Sequence, residues 1–249
     1  MPYRKQQFVN DEIYHIVLRG IDDNLLFKDI DDYYRGIFSI YEFNTITPIQ
    51  IRERRRERIK IKEISKGARG GPSSATASVT ASVTDKRDKL VEILAFCFMP
   101  NHIHLLLRQL KKDGITKFMS KLGTGYAGYF NRKYERKGHV FQNRFGTVHV
   151  KGNEQFKTIF VYIHANPLSL IEPGWKEKGI KDTEKSIEFL ETYKWSSYPD
   201  YIEKKNFPSV TDREFVSRVF GGNDICKDFV YQWIRYKGKA IEFPELALE

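Results

Sequence analysis

Met99-Pro100-Asn101-His102-Ile103-His104-Leu105-Leu106-Leu107 is the stretch from which the fold can be worked out. Side chains alternate across a β-strand with period two, so a strand here sends both imidazoles out of one face. Ile103, Leu105 and Leu107 leave the other face and can pack into a core. Such a strand is anchored on one side and chemical on the other. Two neighbouring imidazoles are half a metal site, and because they suit several divalent ions the pair names no metal. The other reading is a pair of strand histidines facing solvent or bonded to neighbours. A third ligand and an attacking group elsewhere in the chain would decide between the two.

The flanking sequence extends the strand reading. Leu90 to Phe98 is apolar on nearly every residue, as in a strand buried on both faces, and Pro100-Asn101 is a tight turn joining it to the histidine strand. Upstream, Glu12 to Leu18 is β-rich and runs into the turn cluster Arg19 to Asn24. Residues 31–43 place Tyr33, Ile37, Ile40 and Tyr41 on a helical stripe, with Asp29 or Asp31 as N-cap and Gly36 weakening it. Thr116 to Arg136 predicts a longer helix, interrupted by Gly123, Gly125 and Gly128. Thr147 to Val150 reads as a short strand. Asn153 to Ala165 reads as a helix closed by Asn166-Pro167, with Phe156, Ile159, Phe160 and Ile163 as its stripe and Tyr162 on the flank. One more helix is expected around Asp228 to Lys237.

The chain has 249 residues, 41% of them hydrophobic, enough for one main domain over 1–200 followed by a helical extension, 201–249, to which no chemistry is assigned. Residues 67–84 are low-complexity, with a short tandem Thr-Ala-Ser-Val and no large apolar side chain, and read as a disordered loop. That loop is expected to join two strands of a hairpin, the first ending in the Ile59/Ile61 alternation. A formal charge of +10 favours a polyanionic partner. Arg52 to Lys62 holds seven basic residues against two acidic, either a solvated face or a patch that tracks phosphates. Asn131 to Phe145 is basic with aromatics interleaved, which suits single-stranded nucleic acid. The cations expected at a nucleic-acid backbone are Arg19, Arg54, Arg55, Arg132, Lys133, Arg136 and Arg144. With two cysteines no disulfide framework is implied, and Cys97 reads as a small core residue. Residues 1–7 lack an apolar signal region and no run approaches the ~18 apolar residues of a membrane span, so a cytoplasmic setting is expected.

Tyr162 and Asn166 lie four residues apart and share a helical face. A carboxamide oxygen is a hard ligand suited to Mg²⁺ or Mn²⁺, and a tyrosine one turn earlier would stand beside any phosphate the ion held. Alternatively, Tyr162 is a rim residue and Asn166 a C-cap, and the following proline would pull Asn166 out of helical geometry. His15 and His164 are candidate neighbours of the site, and Tyr126 and Tyr129 are rival nucleophiles on a core stripe.

Pro100-Asn101-His102-Ile103-His104-Leu105-Leu106 resembles the His-hydrophobic-His signature of the HUH endonuclease superfamily. Tyr14 to Gly20, Phe130-Asn131-Arg132, Gly138 to Phe145, Tyr162 to Pro167 and Trp195 to Tyr198, in that order, resemble the REP-associated branch of the single-tyrosine insertion-sequence transposases. The resemblance implies an α+β fold, a ferredoxin-like antiparallel sheet with helices packed on one face. It implies His102 and His104 as metal ligands, Asn166 as third ligand to Mg²⁺ or Mn²⁺, and Tyr162 as nucleophile. The implied activity is metal-dependent nicking and strand transfer of single-stranded, hairpin-containing DNA through a 5′-phosphotyrosine. The implied actor is a monomer or homodimer working at the nucleoid. A non-catalytic single-strand-binding protein of the same fold is the alternative. A two-histidine phosphoesterase would need a second His-x-Ser/Thr element, which His139-Val140-Phe141 and His149-Val150-Lys151 do not supply.

Overall fold

The computed structural model describes residues 7–48, 56, 87–142 and 144–236. Arg54, Arg55, the expected strand at 59–62 and the loop 67–84 lie outside the described residues.

Strands β1 (Ile13–Arg19), β2 (Val91–Met99), β3 (His102–Gln109) and β4 (Gly146–Val150) form one antiparallel sheet in the order β2-β3-β1-β4. Helix α1 (Ile30–Glu42) links β1 to β2, and α2 (Gly114–Lys133) links β3 to β4. This split βαβ arrangement, with β3 inserted between β2 and β1, is the ferredoxin-like topology that the sequence led us to expect. Pro100 and Asn101 make the two-residue turn, since Met99 pairs with His102 across the hairpin.

Period-two alternation divides β3 between two cores. Ile103, Leu105 and Leu107 join Tyr14, Ile16, Leu18, Phe96 and Phe98 beneath α1 and α2. Leu106 faces the other way and joins Ala95, Cys97 and Met99 under helix α3 (Gly152–Ala165). A β-bulge between Ile93 and Ala95 resets the alternation of β2. The expectation of helices on one face therefore needs correcting, because a second helical layer covers the opposite face. Alongside α3 it includes α5 (Thr183–Thr192), α7 (Arg213–Phe220) and α8 (Asn223–Tyr236), which contribute Leu190, Val216, Phe220, Val230 and Ile234. Among the described residues the short helices α4 (Trp175–Lys178) and α6 (Tyr198–Tyr201) complete the set of named α-helices. A strand as apolar as β2 would expose one whole face to water without that layer, at roughly 25 cal/mol per Å².

The glycines that weaken the helices on propensity mark the tightest packing. A Cβ at Gly36 would stand 2.4 Å from the Phe98 ring, and one at Gly125 would stand 2.2 Å from the Phe43 ring. The cost of about 1 kcal/mol per helical glycine is offset by that close approach. Asp29 caps α1 by accepting from the amides of Asp31 and Asp32.

The outer edge of β2 is closed by the Trp195–Tyr198 segment and by Asp212. Phe98 N donates to Trp195 O at 2.8 Å, Phe96 N to Ser197 Oγ at 2.9 Å, and Asp212 N to Ile93 O at 2.9 Å. These contacts satisfy an otherwise bare edge. Between α1 and β2 the chain is stapled at a neck. Asn44 Oδ1 accepts from Leu90 N at 3.1 Å and Val91 N at 3.0 Å, Asn44 Nδ2 donates to Val91 O at 2.8 Å, and Ile46 N donates to Asp88 O at 3.0 Å. Among the described residues no helix is long and apolar enough to cross a membrane.

Candidate active site

β3 delivers the two imidazoles to the face covered by α3. His102 opens the strand at 9% exposure, His104 is fully buried, and their ring centroids are 4.8 Å apart at 82°. His102 Nδ1 lies 2.7 Å from Asn101 Oδ1. A carboxamide oxygen only accepts, so Nδ1 carries the ring proton and Nε2 carries the lone pair. His104 Nδ1 lies 3.0 Å from Nε2 of His15, a buried β1 residue whose ring stacks on it at 5.2 Å and 12°. On both histidines, then, Nδ1 is engaged within the protein and Nε2 is the nitrogen to which coordination would fall.

α3 carries the tyrosine and the asparagine. The Tyr162 ring meets His104 edge-on at 5.8 Å and His15 at 6.0 Å, and the residue is 7% exposed. Asn166 keeps helical dihedrals (φ −52°, ψ −38°), and its Nδ2 donates to Tyr162 O at 3.0 Å. The expected disruption by Pro167 does not occur. The chain tightens into a 3₁₀ turn, Asn166–Leu170, with Pro167 in its first turn, where a missing N–H costs nothing. The i, i+4 pairing of Tyr162 with Asn166 is thereby preserved. Because the amide nitrogen is engaged by the backbone, the oxygen is the end of Asn166 able to serve as a ligand. Among the described residues no three His, Cys, Asp or Glu side chains gather as a metal site. By donor chemistry alone, two imidazole nitrogens and one amide oxygen would suit a divalent ion of intermediate to hard character.

One participant escaped the sequence reading. Lys176, on α4, donates from Nζ to Tyr162 Oη at 3.3 Å and lies 5.0 Å from the ring centroid. Its helix is held by Trp175, which is 1% exposed. No spacing rule links positions fourteen apart across a proline, and the lysine sits in a lysine-rich stretch, so nothing distinguished it.

The remaining candidates separate cleanly. His164 points away from the pair: its Nε2 contacts Ser197 Oγ at 2.8 Å, its ring lies 4.3 Å from Phe160, and burial pushes its pKa down to about 3. Tyr126 is buried in the α1/α2 core, donates to Leu26 O at 2.6 Å, and has its phenol pKa pushed upward by burial. Tyr129 donates to Asp32 Oδ1 at 2.9 Å, so neither rival joins the imidazoles. Arg19 stands opposite His102 in the β1–β3 register and pairs with Asp23 at 3.0 Å. Gln142 N donates to Arg19 O at 2.9 Å, which ties the basic-aromatic segment to this end of the sheet. Arg132 and Arg144 are exposed, and Arg136 donates to His139 O at 3.2 Å. Lys133 is engaged at 2.7 Å by both Asp29 and Asp32, and its ammonium holds the Asp29 carboxyl below the usual range. A phosphate would have to compete with two carboxylates for that lysine.

Residues 75–166 match the family described as IS200-like transposases. The matched residues include His102, His104, Tyr162 and Asn166, while the Tyr14–Gly20 and Trp195–Tyr198 motifs lie outside the match. Among solved structures, one described as a REP-associated tyrosine transposase bound to a REP hairpin matches with a TM-score of 0.41 and 13% identity, over 85% of this chain and 94% of that one. No curated protein matches the chain.

Proposed function

We propose that the protein nicks single-stranded DNA beside a hairpin and transfers the strand through a 5′-phosphotyrosine on Tyr162. The observation that carries this reading is the docking of Tyr162 against the paired histidines, its ring 5.8 Å from that of His104, with Asn166 one turn further on. The family match over 75–166 supports it. His102 and His104 through Nε2, with the Asn166 amide oxygen, would hold Mg²⁺ or Mn²⁺, which when bound polarises a phosphodiester as a Lewis acid.

The chain's own groups do the rest. Tyr162 Oη gives its proton to solvent water and attacks phosphorus in line, forming the P–O bond to tyrosine as the bond to the 3′ oxygen breaks, and the departing 3′ oxygen takes a proton from water. The products are a 5′-phosphotyrosine and a free 3′-hydroxyl, and reversal rejoins a strand. The Lys176 ammonium stabilises negative charge on Oη during attack and again when the phenolate leaves. Arg19, Arg132, Arg136 and Arg144 offer the exposed or marginal cations that would follow a DNA backbone, Lys133 joins them by exchanging partners, and Arg54 and Arg55 are proposed from sequence alone. The protein acts as a monomer or homodimer on DNA of the cytoplasm.

The test is to incubate hairpin-bearing single-stranded DNA with the protein and Mg²⁺ or Mn²⁺ and resolve covalent adducts on a denaturing gel. An adduct that disappears in Tyr162→Phe supports the proposal, and one that survives overturns the tyrosine assignment. Salt-dependent hairpin binding with no adduct under any metal would favour non-catalytic binding instead.

A further inference from the structure

His15 lies outside every role assigned so far. It is fully buried at the centre of the sheet, on β1, one strand away from the ligand it touches. Its Nε2 and the Nδ1 of His104 are 3.0 Å apart, so these two nitrogens share one proton. Two arrangements are possible, and they are chemically opposite. With the proton on His104 Nδ1, the Nε2 of His104 presents a lone pair and His15 accepts. With the proton on His15 Nε2, His104 must carry its own proton on Nε2, and that proton occupies the place where a cation would bind.

We infer that His15 is a positioning residue that keeps the proton of His104 on Nδ1 and so makes His104 an Nε2 ligand. The inference rests on the metal-assisted reading above and adds to it a residue that touches neither ion nor DNA. The geometry suits the task. The two rings stack at 12°, and both strands are locked by antiparallel pairing in which His104 faces Val17 and His15 faces Leu106. Both imidazoles are fully buried, so neither can change rotamer without displacing packed neighbours. Asn101 performs the same service for His102 at the rim, through a carboxamide oxygen at 2.7 Å. Outer partners of this kind orient metal-binding imidazoles and choose their tautomer. A neutral imidazole is the acceptor that a fully buried position tolerates, since an ionised carboxylate there would carry a far larger desolvation cost.

Two measurements on the full chain test this. The first is nitrogen NMR of ¹⁵N-histidine-labelled protein saturated with Mg²⁺, which reports which ring nitrogen of His104 is protonated. We expect the Nδ1–H tautomer; an Nε2–H signal for His104 overturns the inference. The second is calorimetric titration with Mn²⁺ in the absence of DNA. His15→Phe should weaken binding by about 10- to 100-fold, and His15→Gln, whose amide oxygen can accept from Nδ1–H, should recover part of that loss. Equal affinity in His15→Phe overturns the inference, as does a His15→Gln variant that folds but binds no better than His15→Phe. Circular dichroism checks folding, and if His15→Phe fails to fold, the tautomer of the unaltered protein decides alone. A protein that binds Mn²⁺ with this tautomer yet forms no Tyr162 adduct overturns strand transfer while supporting the role of His15. Failure of the unaltered protein to bind Mn²⁺ overturns both.

Discussion

The two faces of the sheet are made by the same strands and reach the same depth of burial, yet they differ in kind. Toward α1 and α2, β3 presents Ile103, Leu105 and Leu107 to a cluster dominated by Phe27, Phe96, Phe98 and Tyr126. Toward α3, the same strand presents His102, His104 and Leu106, and β1 adds His15. Buried imidazoles do not stabilise a fold as leucines do, because each must be repaid in hydrogen bonds for the water it loses. The difference teaches that one strand can do two jobs only if its silent face is packed well enough to hold its chemical face still.

That comparison can be broken from either side. On the chemical face, His102→Ala should lower adduct formation by roughly 10³-fold, the equivalent of the several kcal/mol a bound metal supplies, while the urea midpoint barely moves. A midpoint that fell in step with activity would erase the distinction between the faces. On the packed face, Leu105→Ala should cost about 2–5 kcal/mol in urea unfolding and leave the adduct yield per folded molecule nearly unchanged.

A third experiment concerns a buried histidine that stands apart from the pair. Burial holds His164 near a pKa of about 3, against 6.5 for the ordinary residue. Below pH 6.5 the unfolded chain therefore takes up a proton that the native protein refuses until about pH 3. This group's contribution is fully present above the unfolded pKa and is lost as pH falls through that window, with a slope of up to about 1.4 kcal/mol per pH unit. His164→Leu should flatten the wild-type stability curve there, as read by chemical denaturation at successive pH values. The smallest expected effect is at Lys176. Its removal in Lys176→Met should slow single-turnover adduct formation by about tenfold, the lower end for a charged hydrogen bond at an exposed side chain.

Much of this architecture was legible in the sequence wherever a short period controls the outcome. Alternation along 102–107 gave the two-faced strand, the pair of N-cap candidates Asp29 and Asp31 bracketed the start of α1, where Asp29 is the cap, and the Phe156/Ile159/Phe160/Ile163 stripe gave α3. What stayed hidden depends on residues brought together across long separations. Lys176 reaches Tyr162 from 14 positions away, and Ser197 reaches Phe96 from 101. The second helical layer was missed because α5 and α7, at 10 and 8 residues, are too short for their periodicity to stand out. Gly36 and Gly125 misled in an instructive way, since propensity counts what a glycine lacks and packing uses that same lack.

The neck at Asn44 and Ile46 has a consequence of a different sort. Arg87 donates to the Tyr41 carbonyl just where Asp88 accepts from Ile46, so the chain that departs after Pro48 re-enters the fold beside its own exit. Loop closure at such a collar costs only about 0.6 kcal/mol more for each doubling of the sequence it closes, less than one good hydrogen bond at the neck returns. A change in the number of residues between Pro48 and Arg87 is therefore expected to leave the stability of the sheet nearly untouched.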